Sequence, residues 1–284
     1  MRPVTRPVQY YELPNEAGGR PKIAAPVGEK GHRLSVCACL LRRVGIAEVS
    51  PWEEDAAGMV KKYWLVGIFG FLAAFFVLGI PCNPQAAENE RVIDEKVKTF
   101  LDRMRNRWRD LNVPEADGKI LYDIIIQNQY KKALEVGTST GHSAIWIAWA
   151  LSKTGGKLIT IEIDEGRYQQ ALNHFKEAGL SEHIDARLAD AHRLVNELPG
   201  SFDFVFIDAD KDWYTNYAKA LIPKLEPGGC ITAHNVEEPR PGDRGRYRLR
   251  GTDEYYRYMK SLPDFETRIH PQSRAGVAVS CKKK

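Results

Sequence analysis

Residues 202–214 read FDFVFIDADKDWY, an apolar strand pattern that ends in Asp208, Asp210 and Lys211. In an open α/β sheet, ligands bind just beyond the carboxyl ends of the strands, so these three side chains fall where chemistry is expected. A metal ligand and a base are both on offer. The plainer alternative is that Asp208 caps the next helix and Lys211 is solvated.

Upstream, KKALEVGTSTGHSAIWIAWAL carries a short strand over Ala133 to Val136, a turn with Gly137 and Gly141, and then a helix. Glycines at such a turn let the backbone approach a ligand closely, and the helix N-terminus offers free N–H groups. The glycine spacing does not match G-x-G-x-x-G, because position 139 is Ser. A further strand, KLITIEID, ends in Glu162, about 20 residues past the turn, the usual distance for an acidic grip on ribose hydroxyls. Downstream, IDARL, AHRLVNEL, FDFVFID, WYTNYAKALIPKL and CITA alternate strand and helix, which predicts a parallel, doubly wound α/β sheet.

LEVGTSTGHSA, ITIEID, LADAH, FVFIDADKDWY and GGCITAHNV occur in the order found in one family. From about Pro114 to the C-terminus the chain resembles class I S-adenosylmethionine-dependent O-methyltransferases of the catechol and caffeoyl-CoA type. The resemblance implies a Rossmann-like, seven-stranded sheet, mostly parallel, with an antiparallel C-terminal strand and helices on both faces. By position it assigns Glu135, Gly137, Ser139, Gly141 and Ser143 to the methionine end of the cofactor, Glu162 to the ribose and Asp190 to the adenine side. Asp208 becomes the first ligand of a divalent cation and a neighbour of the cofactor, and Lys211 the general base. The family places an Asp-Asn ligand pair after the next strand, where this chain has His234-Asn235. Magnesium prefers hard oxygen donors, whereas imidazole suits softer ions. His234 therefore marks a shift to a softer metal, a weakened metal dependence, or simply a hydrogen-bonded histidine at a strand end.

The chemistry implied is in-line attack of an acceptor hydroxyl on the methyl sulfonium. Alignment supplies much of the rate. The metal would anchor two vicinal oxygens, and Lys211 would take the proton if burial and a nearby cation lower its pKa. A small catechol-like hydroxyl acceptor is thus the expected substrate. A tethered cofactor-binding protein with lost catalysis, and a nicotinamide-dependent oxidoreductase, are the rival readings.

The chain has 284 residues with a net charge of +4 and pI near 8.7, enough for one α/β core plus N-terminal material. Residues 1–58, rich in Pro, Gly and Arg, read as disordered or as a mis-assigned start before Met59. Residues 59–87 read as a signal peptide or membrane anchor, because Tyr63 to Ile80 carries no charge and follows Lys61-Lys62. A membrane-anchored or exported protein is expected, with 88–284 as the methyltransferase domain. Arg244, Arg246, Arg248 and Arg250 alternate, either as a face for an acidic group or as a solvated loop. No nucleic acid is expected as a partner, since no known binding module accompanies these arginines. The five cysteines suggest neither a disulfide framework nor a zinc motif. An apolar stripe from Arg91 to Val113, through Ile93, Val97, Phe100, Leu101, Met104, Trp108 and Leu111, predicts a helix packed on the sheet or in a homodimer. A second helix is expected from about Lys119 to Gln127.

Overall fold

The computed structural model describes residues 84–108, 111–238 and 250–284. The expectations for residues 1–58, for the hydrophobic run 63–80 and for Arg244, Arg246 and Arg248 lie outside the described residues. Among the described residues, no helix is long and apolar enough to cross a membrane.

Helix α1 (Pro84–Met104) opens inside the stretch assigned to the leader, because Gln-Ala-Ala-Glu is rich in good helix formers. It buries Val97 and Phe100. The apolar stripe does not run on to Leu111 as its spacing predicts: the helix stops at Met104, and Asn106 takes a left-handed φ of 65°. Trp108 turns back onto the core, its ring 4.5 Å from that of His142, while Leu111 is left 77% exposed. Helix α2 (Glu115–Asn128) begins four residues before the expected Lys119. Pro114 precedes it in an extended conformation, and Glu115 and Asp117 in the first turn complement the helix dipole.

Seven strands then form one sheet in the order β3-β2-β1-β4-β5-β7-β6. They are β1 (Lys132–Val136), β2 (Lys157–Glu162), β3 (Ile184–Leu188), β4 (Phe202–Ile207), β5 (Leu225–His234), β6 (Phe265–Ile269) and β7 (Val277–Lys282). The first five are parallel, and β7 runs antiparallel between β5 and β6, as the resemblance implies. The helices between them are α3 (His142–Thr154), α4 (Glu165–Glu177), α5 (Ala191–Glu197), α6 (Tyr214–Leu221) and α7 (Arg250–Ser261).

Strand β4 is apolar on both faces because it is covered on both. Phe204 and Phe206 pack with α1 to α4, whereas Val205 and Ile207 pack with α5, α6 and α7. Each such side chain, fully buried, is worth about 1.5–3 kcal/mol. Tyr255 and Tyr256 are core residues of this second layer.

The cysteine reading needs a correction, because Cys230 and Cys281 are joined by a disulfide. They are 51 residues apart in the chain, but the antiparallel register of β5 and β7 sets them directly opposite one another. Spacing along the sequence carries no trace of that pairing.

The chain leaves β1 to build β2 and β3 on one side, then returns to build β4 on the other. The crevice at such a switch point, outside the carboxyl ends of β1 and β4, is where an open α/β sheet binds its ligand.

Candidate active site

Beyond β1 the ladder continues for two more bonds, from the Gly137 and Thr138 N–H groups to the Ile161 carbonyl, each 3.1 Å. On the other side the Asp208 N–H reaches the Val136 carbonyl at 2.9 Å. Gly137 has φ +99°, and a Cβ there would lie 2.4 Å from the Asp208 carbonyl oxygen. Only glycine satisfies both the backbone and the gap. The turn then aims the Ser139 N–H at Glu162, 2.7 Å from Oε2. Glu162 Oε1 also accepts from the N–H groups of Ile163 (3.0 Å) and Asp164 (2.9 Å), so its carboxylate is fixed at the end of β2.

A cavity of about 730 Å³ opens over these ends. It is lined by Gly137, Ser139, Glu162 and Asp190 on one side and by Asp208, Lys211, His234 and Asn235 on the other. The other three residues assigned to the cofactor do not line it. Glu135 is fully buried below, accepting a 2.5 Å bond from Thr160 Oγ1, and burial pushes its carboxyl up to about 8. Ser143 is buried in the first turn of α3 and bonds to Glu135. Gly141, with φ +96°, faces the Phe175 ring. These three shape the turn from behind.

Asp208 sits at the centre of a chain of charged groups. Its Oδ1 accepts from Lys211 Nζ at 2.5 Å and from Tyr214 Oη at 3.3 Å, and Lys211 Nζ also bonds Tyr214 Oη at 2.7 Å. On the other side, Asp208 Oδ2 lies 3.2 Å from His234 Nδ1, and His234 Nε2 lies 3.0 Å from Asp117 Oδ2. Burial alone would lower the His234 pKa, but its bonds to Asp117 and Asp208 outweigh that and raise it to about 9. Burial likewise opposes ionisation of Asp117 and Asp208, yet the histidine, with Lys211 beside Asp208, holds both carboxyls below their usual range. An amine, two carboxylates and an imidazole thus form one connected network beside the cavity.

Residues 84–237, more than half of the chain, match a family model described as O-methyltransferase. The chain belongs to the O-methyltransferase family. Among its curated relatives, the catechol O-methyltransferase of Niastella koreensis is 39% identical over 130 residues, covering 44% of this chain and 58% of that protein. Caffeoyl-CoA O-methyltransferase 1 of Eucalyptus globulus is 33% identical over 137 residues, covering 46% and 55%. The chain therefore spans little more than half the length of these O-methyltransferases. In fold it is similar to the Bacillus cereus O-methyltransferase solved with SAH, with a TM-score of 0.54 and 23% identity, covering 76% of this chain and 97% of that one. It is also similar to the O-methyltransferase TomG of Streptomyces achromogenes, solved with SAM, with a TM-score of 0.54 and 24% identity over 67% and 90%.

In this O-methyltransferase the residues assigned to a divalent cation do not fit one as they stand. Both ring nitrogens of His234 face carboxylate oxygens, which leaves no lone pair for a metal. Both oxygens of Asp208 are already engaged, one by Lys211 Nζ and the other by His234 Nδ1. Of the assigned set, Asn235 remains, in a left-handed conformation with φ 57° at the end of β5. Magnesium needs near-octahedral oxygen donors, and one amide oxygen does not supply them.

Asp117 was missed from the sequence, although a signal was there. It shares one face of α2 with Ile120, Leu121 and Ile124, at the spacing of a buried stripe, and a carboxylate on such a face needs a partner. Leu111 and Asn112 also line the cavity, from a linker whose path no periodicity encodes. A third group missed is the wall beside Asp190, which caps α5 by accepting from the His192 N–H. There His192 stacks on Trp213 at 3.7 Å, and Asp210 accepts bonds from Tyr217 Oη at 2.6 Å and His192 Nε2 at 3.0 Å.

Proposed function

We propose that this O-methyltransferase moves the methyl group of S-adenosylmethionine to a hydroxyl of a small, catechol-like phenolic acceptor, with Lys211 receiving the proton. One observation carries the reading: the Gly137 to Ser139 turn, the Glu162 carboxylate and the Lys211 amine border a single cavity. The SAM- and SAH-bound fold relatives and the relatives named for catechol and caffeoyl-CoA support it.

In this reading Glu162 accepts from the ribose hydroxyls, and Asp190 and the His192–Trp213 stack border the adenine. The acceptor lies between Lys211 and Asn235. Its oxygen forms the new C–O bond as the C–S bond breaks and the bonding pair passes to sulfur. The hydroxyl proton goes to the Lys211 amine, and Asp208 and Tyr214, within hydrogen-bond reach, hold the resulting ammonium. Most of the acceleration comes from holding donor and acceptor in line, about 7 kcal/mol or more where the fit is good.

Incubation with methyl-labelled S-adenosylmethionine and a panel of catechols and phenols tests the reaction directly; label in no acceptor would reject it. Glu162→Gln keeps the shape of the side chain but gives up a charged acceptor. Its affinity for S-adenosylhomocysteine is expected to fall about tenfold or more, as calorimetry would read. Unchanged affinity would remove Glu162 from the ribose.

A further inference from the structure

We propose that the His234 side chain, bridged between Asp117 and Asp208, takes the place that a divalent cation would hold at this site, so that methyl transfer here proceeds without a metal. The inference rests on the methyl-transfer reading for its kinetic part only.

The three side chains are 6%, 0% and 14% exposed, so their bonds face little competition from water. An ionised carboxylate only accepts hydrogen bonds. A ring whose two nitrogens both meet carboxylate oxygens, at 3.0 and 3.2 Å, offers neither of them to a metal. Lys211 Nζ holds the far oxygen of Asp208, so neither oxygen of that carboxylate is left open for a metal. A dication entering here would have to break the imidazole bonds. Among the described residues, no group of three or more His, Cys, Asp or Glu side chains is arranged to hold a metal ion.

His234 acts as a positioning residue. It fixes the orientation of Asp208, and Asp208 in turn orients the Lys211 amine. With no metal to be chelated by two neighbouring oxygens, a single acidic hydroxyl suffices in the acceptor.

The test uses chelator-stripped protein saturated with S-adenosylhomocysteine and titrated with Mn²⁺, followed by calorimetry and electron paramagnetic resonance. Wild type is expected to show no saturable site. His234→Asp, which adds a hard oxygen ligand and removes the bridging imidazole, is expected to gain a single Mn²⁺ site that Asp208→Asn in the same background abolishes. In kinetics, EDTA should leave the wild-type rate within about twofold, whereas His234→Asp should become dependent on Mg²⁺ or Mn²⁺ by about tenfold or more. A wild-type Mn²⁺ site that Asp208→Asn removes, or a wild-type rate lost to EDTA and restored by metal, overturns the proposal. So does a His234→Asp protein that is folded by circular dichroism and binds no Mn²⁺. If that variant does not fold, the wild-type titration decides alone. If no acceptor is ever methylated, the functional reading fails, while the titration still judges this one.

Discussion

Lys211→Ala is expected to lower the turnover number by about 10²- to 10⁴-fold, the range that a positioned proton acceptor contributes. S-adenosylmethionine affinity should stay near wild type, because the turn at Gly137 and the Glu162 carboxylate do not depend on the amine. Removing the side chain leaves Asp208 with bonds from His234 and Tyr214, so the carboxylate remains satisfied and the fold should hold. The loss should appear in single-turnover rates, with little change in the Michaelis constant for the cofactor. A variant that turns over within a few-fold of wild type would assign the proton to another group. Lys211→Arg is a useful companion: it keeps a cation beside Asp208 but cannot act as a base at ordinary pH.

Asp117→Ala is expected to cost about 3–5 kcal/mol of folding stability, the usual penalty for breaking one side of a buried ion pair. The carboxylate has no exposed surface and reaches His234 at 3.0 Å, so its removal leaves an imidazolium with one partner in a buried setting. For a protein of this size the melting temperature should fall by about 10 °C. Asp117→Asn retains an acceptor oxygen and should lose less. The effect has a definite sign with pH. The pKa of His234 is raised in the folded state from 6.5 to about 9, so the stability it contributes is fully present below pH 6.5 and is lost as pH rises through 9. The gap between wild type and Asp117→Ala should therefore narrow in melting curves recorded near pH 10. A gap that stays constant or widens would mean that the pair is not ionic.

Much of this architecture was legible in the chain because the elements that matter are continuous in sequence. FDFVFID, KLITIE and IDARL each run strand-like to a polar stop, and those stops became the rim of the cavity. The turn at Gly137 was equally readable, since only glycine tolerates both its φ and the approach of Asp208. Features that depend on packing between distant segments were not readable. Asp117 and His234 meet across 117 residues of sequence, and Cys230 finds Cys281 only through strand register. Glu135, Gly141 and Ser143 sit within the motif but are buried behind the turn and do not line the cavity, a matter of packing that a motif does not encode. The end of α1 was misjudged because an apolar spacing persisted past Asn106, where the backbone itself turned.

The close approach of Gly137 to the Asp208 backbone ties the turn that would, on the proposed reading, cradle the donor to the loop that carries the amine. The two halves of the reaction therefore share one rigid seam and cannot be retuned separately without disturbing both. Any drift in the acceptors accepted must begin elsewhere on the rim, and the Leu111–Asn112 linker, outside both the sheet and its helices, is where new side chains could be tried at least cost to the methyl donor.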